Sequence, residues 1–229
     1  MEYETKFILN NSAAYTILTW LKGRCYPDRK YPEGIVNSIY YDTRGWSYLY
    51  EKINSDYLKS KIRLRWYSDI HTARPVGNAF LEMKNRVGYT RKKIRIKTEL
   101  TGELCEKSQL ESKDLTDVPY QLYDHNVLYG KHLLPVFQIS YKRYRFIDPL
   151  TQCRINLDFD ISAPRVNKMI LKSGASTIIN KAVFEIKGDD TILTESLFQL
   201  TALGCKKESF SKYSTCYEKL LGLNCLDLV

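Results

Sequence analysis

Histidine is scarce in this chain: only His71, His125 and His132 occur, and they show no H-x-x-x-H spacing. That leaves a histidine-built metal site or a Ser-His-Asp triad without support, and places the three on the surface. The six cysteines, Cys25, Cys105, Cys153, Cys205, Cys216 and Cys225, include no C-x-x-C pair. Zinc-ligand spacing is therefore excluded, and reduced thiols are expected. No G-x-x-x-x-G-K-[ST] is present, so a P-loop enzyme is excluded. No apolar run approaches the ~18 residues of a membrane-spanning helix. The N-terminus goes straight into a charged segment with no room for a signal peptide, which makes the cytoplasm the expected location. Linkers, low-complexity tracts and repeats are also missing. The 229 residues read as one domain, 1–229, long enough to bury a real core.

What is present is positive charge in patterned strands. The net charge of +9 implies an anionic partner; nucleic acid, an acidic membrane surface and polyphosphate all qualify. The 18 tyrosines alternate with charged residues or fall in helical segments, which reads as packing rather than as base-stacking platforms. At the start, Glu2, Glu4 and Lys6 alternate with Tyr3, Thr5 and Phe7, so in a strand they share one face. Two carboxylates on such a face suit a divalent cation, and a lysine beside them suits a phosphate. The pattern recurs. Lys61, Arg63 and Arg65 alternate with Ile62, Leu64 and Trp66; Glu82, Lys84 and Arg86 with Leu81, Met83 and Asn85. Arg91, Lys93, Arg95 and Lys97 alternate with Lys92, Ile94 and Ile96; Tyr141, Arg143 and Arg145 with Lys142, Tyr144 and Phe146. Arg154, Asn156, Asp158 and Asp160 alternate with Ile155, Leu157, Phe159 and Ile161; Glu185 and Lys187 with Phe184 and Ile186.

Such segments fit a sandwich with charged outer faces, or a barrel with the charged faces turned inward around a polyanion. The sandwich predicts exchangeable polar faces rich in Thr and Ser. Here Arg and Lys dominate, and like charges on adjacent strands repel unless an anion neutralises them, which favours the barrel. The spacing predicts a helix over 11–22, capped by Asn11 or Ser12 and ended by Gly23. It predicts a strand over 35–41, then a short helix capped by Asp42 or Thr43 and running to about Ile53. Helical stretches are expected over 101–112 and 119–129, and a hairpin turn at Asp148-Pro149 between strands 136–147 and 153–161. Closing helices are expected over 192–203 and 212–221, with Gly204 and Gly222 as stops. The expected fold is α+β: a closed antiparallel β-barrel, or tunnel, of about eight strands with helices packed outside.

In order, the motifs are Tyr3-Glu4-Thr5-Lys6-Phe7, Ser38-Ile39-Tyr40-Tyr41-Asp42-Thr43, Lys61-Ile62-Arg63-Leu64-Arg65-Trp66-Tyr67 and Leu81-Glu82-Met83-Lys84. They continue with Pro135 and Ser140-Tyr141-Lys142-Arg143, Arg154-Ile155-Asn156-Leu157-Asp158, Phe184-Glu185-Ile186-Lys187 and Phe210-Ser211-Lys212-Tyr213. In this order the chain resembles the triphosphate tunnel metalloenzymes, and more narrowly the VTC domain, the polyphosphate polymerase domain of the vacuolar transporter chaperone complex, in a stand-alone bacterial form. Tyr41 stands where that family usually has Phe, and Asn156 where it has Thr. No SPX regulatory domain and no membrane domain accompany the match. The run Arg91-Lys92-Lys93-Ile94-Arg95 is richer than usual, and strand parity favours Lys93 over Lys92 as the tunnel lysine.

The resemblance implies that Lys6, Arg63, Arg65, Lys84, Lys93, Arg143, Arg154 and Lys212 hold the phosphates of ATP, with Arg95 as a further substrate-binding residue. Tyr141 and Ser211 would donate hydrogen bonds to phosphate oxygens. Glu185 would hold Mn²⁺ or Mg²⁺, with Glu2 and Glu4 as further candidates. Asp158 and Glu82 suit pairing with a neighbouring arginine as well as they suit metal. The implied reaction extends inorganic polyphosphate at the expense of ATP, with no nucleic-acid partner and no membrane segment. Two rivals stand beside it: a triphosphatase or CYTH-type cyclase of the same fold, and a non-enzymatic polyanion-binding protein.

Overall fold

The computed structural model describes residues 3–88, 90–127, 129–172, 174–188, 199–200, 202 and 204–222. In chain order the elements begin with β1 (Tyr3–Asn10), α1 (Ala14–Lys22), β2 (Tyr26–Pro27), β3 (Glu33–Asp42), α2 (Ser47–Ile53), β4 (Leu58–Ser68), β5 (Pro75–Val87) and β6 (Thr90–Thr101). Short helices follow, α3 (Gly102–Lys107), α4 (Lys113–Thr116) and α5 (Gln121–Asp124). Then come β7 (Leu134–Ile147), β8 (Arg154–Ala163), β9 (Thr177–Ile179), β10 (Lys181–Gly188), β11 (Lys206–Lys207) and α6 (Lys212–Leu220). The expected helix over 192–203 falls mostly outside the described residues, as do Glu2 and Cys225.

The chain divides into two compact units. One comprises Met1–Ile35, Tyr141–Ile161 and Ile178–Lys212; the other Val36–Ser140, Ser162–Thr177 and Tyr213–Val229. In the first, β1 lies between β10 and β11, and β10 pairs antiparallel with β8. The alternation decides its two faces. Phe7 and Leu9, Ile155, Leu157 and Phe159, and Ala182, Phe184 and Ile186 point to one side. Ala14, Ile17, Leu18 and Leu21 of α1, spaced i, i+3, i+4, i+7, close over them. The helix is entered through a short 3-10 turn, Asn11–Ala13, whose cap is Asn10: its side-chain oxygen accepts from the Ser12 amide at 3.2 Å. The capping residue thus lies one position before the expected Asn11, because the strand hands over directly into a 3-10 turn.

In the second unit, β4, β5 and β6 form an antiparallel ladder beside β3. Ile62, Leu64, Trp66, Leu81 and Met83 are buried with Cys105, Leu110, Leu115, Val118 and Leu122 from the helical segment. Gly102 opens α3 where nothing larger fits: a Cβ there would lie 2.9 Å from Trp66 Cδ1 and 3.0 Å from Pro75 Cβ. Asp42 is fully buried; Oδ1 accepts from the amides of Thr43 and Tyr48, and Oδ2 from the Leu49 amide and the Tyr213 hydroxyl. It therefore satisfies the start of α2 as expected and also ties α6 to β3. Gly222, at φ 69°, ends α6 in the left-handed conformation that favours glycine.

The fold is α+β, antiparallel and sheet-rich, with helices on the apolar faces. The barrel expectation needs correction. The sheet has eleven strands in the order β11-β1-β10-β8-β7-β3-β4-β5-β6, with β2 on β7 and β9 on β8. Among the described residues no pairing joins its ends, so it is not closed. Period-two alternation fixes which side chains share a face but carries nothing about ladder closure. Strands of two or three residues such as β2, β9 and β11 are too short to show alternation, which explains the undercount. All three histidines are exposed, the five described cysteines are free and buried, and no described helix is long and apolar enough to cross a membrane.

Ile17→Ala should lower the unfolding free energy by about 2–5 kcal/mol, since it empties the centre of the helix-on-sheet contact. Urea unfolding should show a lower midpoint at an unchanged m-value.

Candidate phosphate-binding strand faces

With the apolar faces covered, the opposite faces collect the charges. In the first unit, register places Lys6 beside Glu185 and Glu185 beside Asn156; the next row is Glu4, Lys187 and Arg154. Lys6 Nζ lies 2.9 Å from Glu4 Oε1 and 3.7 Å from Glu185 Oε2. Lys187 Nζ lies 2.7 Å from Glu185 Oε1 and 3.9 Å from Glu4 Oε2. Burial pushes the Glu4 carboxyl up, but Lys6, and after it Lys187, outweigh this and hold it at about 2. Two glutamates and two lysines thus interlock in one patch, with Arg154 at its edge.

A second cluster of this unit centres on Asp158, which is fully buried. Arg143 grips it as a fork, Nε to Oδ1 at 2.6 Å and Nη2 to Oδ2 at 2.7 Å, while Lys212 Nζ reaches Oδ2 at 2.6 Å. Burial opposes the charge on Asp158, yet Arg143 and Lys212 hold its carboxyl far below the usual range. Burial likewise opposes charge on Arg143 and Lys212, and Asp158 reverses this, raising both. The Tyr141 ring lies under both cations, 4.6 Å from Lys212 Nζ and 5.3 Å from the Arg143 guanidinium carbon. Ser211, partly buried, directly precedes Lys212. Both Asp158 oxygens are taken up by cations, so this carboxylate positions Arg143 and Lys212.

The second unit carries the more basic face. Its rows run Lys61–Lys84–Lys93, Arg63–Glu82–Arg95 and Arg65–Phe80–Lys97. Glu82 is the one carboxylate in these rows, and its side chain is only 3% exposed. Arg63 donates to its Oε2 from Nε at 2.8 Å and lies 2.7 Å away at Nη2; Arg65 Nη1 is 3.6 Å off. Its Oε1 makes no hydrogen bond and faces Lys93 Nζ at 3.4 Å and Arg95 Nε at 3.6 Å. Burial raises the Glu82 carboxyl, but Arg63, Arg65 and Lys93 bring it down to about 2. Arg95 also stacks its guanidinium 4.0 Å over Phe80. Lys93 shares this face, whereas Lys92 pairs with Asn85 on the other.

Three residues of these clusters escaped the sequence reading as candidates. Lys61 places its ammonium 5.0 Å from the Tyr40 ring and 5.5 Å from that of Tyr213. Tyr40, buried and stacked on Tyr213 at 4.8 Å, accepts from Arg63 Nη1 at 3.4 Å. Burial raises its phenol, but Lys61, Arg63 and Arg65 pull it down to about 7, a measure of how positive this face is. Lys187 is the third. For the two lysines the signal was their parity with Arg63 and Glu185; Tyr40, in a strand buried along both faces, gave none.

No group of three or more His, Cys, Asp or Glu side chains gathers as a metal centre among the described residues. The pair Glu4 and Glu185 has the donor chemistry for an ion of the Mg²⁺ type, which takes one or two carboxylates; each of their oxygens lies within 3.9 Å of Lys6 or Lys187, so the ion would take the place of these lysines.

Glu82 makes the acid stability testable. Its folded pKa lies below the unfolded one, so its contribution is full above the ordinary carboxyl value of 4.5 and is lost as pH falls toward about 2. The shift corresponds to stabilisation on the order of 3 kcal/mol. Urea titrations across this window should show Glu82→Gln to be less stable than wild type at neutral pH, with a flatter acid limb. An unchanged limb would assign the charge–charge coupling elsewhere.

The chain matches the VTC domain over residues 1–221. No curated protein matches it in sequence. Among solved structures it is similar to a putative adenylate cyclase from Bacillus halodurans, at 13% identity and TM-score 0.52, covering 92% of this chain and 94% of that one. A protein from Pyrococcus horikoshii OT3 aligns at 16% identity and TM-score 0.49, covering 96% and 99%. A putative adenylate cyclase from Vibrio parahaemolyticus aligns at 14% identity and TM-score 0.46, covering 96% and 97%. With the family model matched over residues 1–221, and with charged rows standing on one face of an antiparallel sheet, the chain belongs to the VTC domain family.

Proposed function

We propose that this protein is a metal-dependent polyphosphate polymerase that transfers the γ-phosphate of ATP to a growing inorganic polyphosphate chain. The observation that carries the proposal is the row Lys61–Lys84–Lys93 beside Arg63, Arg65 and Arg95, with Glu82 as the one carboxylate among them. Three lysines abreast in an antiparallel ladder repel one another, a repulsion that a bound polyanion would relieve. Arginine binds phosphate oxygens as a fork and lysine as a point charge, and both kinds are present. Residues 1–229 work in this assignment as a single catalytic domain.

A terminal oxygen of the polyphosphate chain attacks Pγ, a new P–O–P link forms, the bond from Pγ to the β-phosphate oxygen breaks, and ADP leaves. Phosphoryl transfer of this kind depends on positioning and on neutralising charge. Arg63, Arg65, Lys84, Lys93 and Arg95 would bind phosphate oxygens on the face of one unit; Lys6, Arg143, Arg154, Lys212, Tyr141 and Ser211 are the phosphate-binding candidates of the other. Asp158 and Glu82 keep their arginines in place before substrate arrives. Glu4 and Glu185 would hold the divalent ion, Mn²⁺ or Mg²⁺, with Glu2 as a further candidate ligand; the ion would supply positive charge to offset that of the phosphates. The attacking oxygen is already anionic, so no general base is needed.

Purified protein given ATP and Mn²⁺ should produce a ladder of polyphosphate on a stained gel, abolished by EDTA. Lys84→Ala, at an exposed position, and Glu185→Ala should each lower the rate by about 10²-fold or more at unchanged circular dichroism. Free phosphate without a ladder would make the protein a triphosphatase. Tripolyphosphate binding that survives EDTA with no turnover would make it a binding protein.

A further inference from the structure

The basic face of β4, β5 and β6 does not end with the rows that surround Glu82. One step beyond Lys61–Lys84–Lys93, toward the β5–β6 turn, register places Lys59 opposite Arg86 and Arg86 opposite Arg91. No register shift intervenes, so parity puts this outer row on the same face as the inner ones. Arg86 is anchored there, its Nε donating to the Gly88 carbonyl at 2.7 Å. Among the described residues neither Lys59 nor Arg91 has an ion-pair partner. With the row before it, Lys61–Lys84–Lys93, this makes two successive rows composed of lysine and arginine alone.

Rows two residues apart lie about 7 Å from one another, and the outer row lies about 14 Å along the strands from the Arg63 row. A triphosphate held around Glu82 is too short to satisfy both, whereas a linear chain of phosphates running along the strands meets each row in turn. None of the six residues in these rows is aromatic, but the Tyr57 ring, 75% exposed, lies over Gly88 beside Arg86, so single-stranded nucleic acid is the competitor the test must include.

We propose that the row Lys59–Arg86–Arg91, backed by Lys61–Lys84–Lys93, is a subsite for linear inorganic polyphosphate that retains the chain between transfers. This rests on the polymerase assignment and adds to it a determinant of product length. Retention by the outer row slows release of the chain without touching the reacting atoms.

The test is the double variant Lys59→Ala with Arg91→Ala, leaving Arg86 to close its turn, and the single Lys59→Ala as a milder form. Binding of end-labelled long-chain polyphosphate and of tripolyphosphate is followed by fluorescence anisotropy at several salt concentrations. Wild type should prefer the long chain. The double variant should lose about tenfold in affinity for it, with a shallower salt dependence, because fewer counter-ions are released. Tripolyphosphate affinity and initial ATP consumption should hold while the product ladder shortens. Equal loss for both ligands, or none, would overturn the proposal. So would single-stranded DNA that binds wild type as tightly as the polymer and loses affinity in the variant. Wild type that fails to bind tripolyphosphate sinks the polymerase assignment itself; tripolyphosphate binding without long-chain preference sinks only the subsite.

Discussion

Two buried carboxylates, Glu82 and Asp158, hold the charged faces of this protein together. Each is shielded from water, and each is kept ionised by cations on neighbouring strands or on the start of α6. Removing such a carboxylate leaves several positive charges facing one another at low dielectric, a heavier penalty than losing a surface pair. Because the carboxylates are outnumbered, they organise the arginines and lysines without neutralising them. The remaining positive potential is a ready anion site, and its strength shows in Tyr40, a buried phenol whose pKa falls when burial alone would raise it.

The two units distribute charge differently. In the first, Glu4 and Glu185 balance Lys6 and Lys187, and this patch offers carboxylate oxygens suited to a hard cation. In the second, basic rows follow one another with a single acid among those around Glu82, and this face offers only donors.

The apolar halves of the same strands explain why so few identities accompany the structural likeness. At 13% identity to the Bacillus halodurans protein, the sheet and its covering helices are still recognisable. What such a fold requires is alternation, a helix stripe such as Ala14, Ile17, Leu18 and Leu21, and a few special positions such as Gly102 beneath Trp66. Many apolar residues of suitable volume meet the first two demands.

The sequence by itself determined which side chains share a strand face, since a period of two leaves no freedom once the strand exists. Lys93 rather than Lys92, and the grouping of Arg63 with Arg65 or Glu185 with Lys187, followed from parity alone. It also determined the hairpin at Asp148 and the stop at Gly222, where local backbone chemistry is decisive. Register and partners came only with the tertiary structure. Lys59, Arg86 and Arg91 lie in three strands, and nothing local says that they fall abreast. Asp158, held by Arg143, is also held by Lys212, 54 positions further along the chain. The long helices expected over 101–112 and 119–129 resolved into short turns, because burying Leu110, Leu115, Val118 and Leu122 against one sheet face bends the chain more tightly than propensity suggests. Ladder closure was likewise beyond the sequence, since it depends on how far each strand's hydrogen bonds find partners rather than on which way its side chains point.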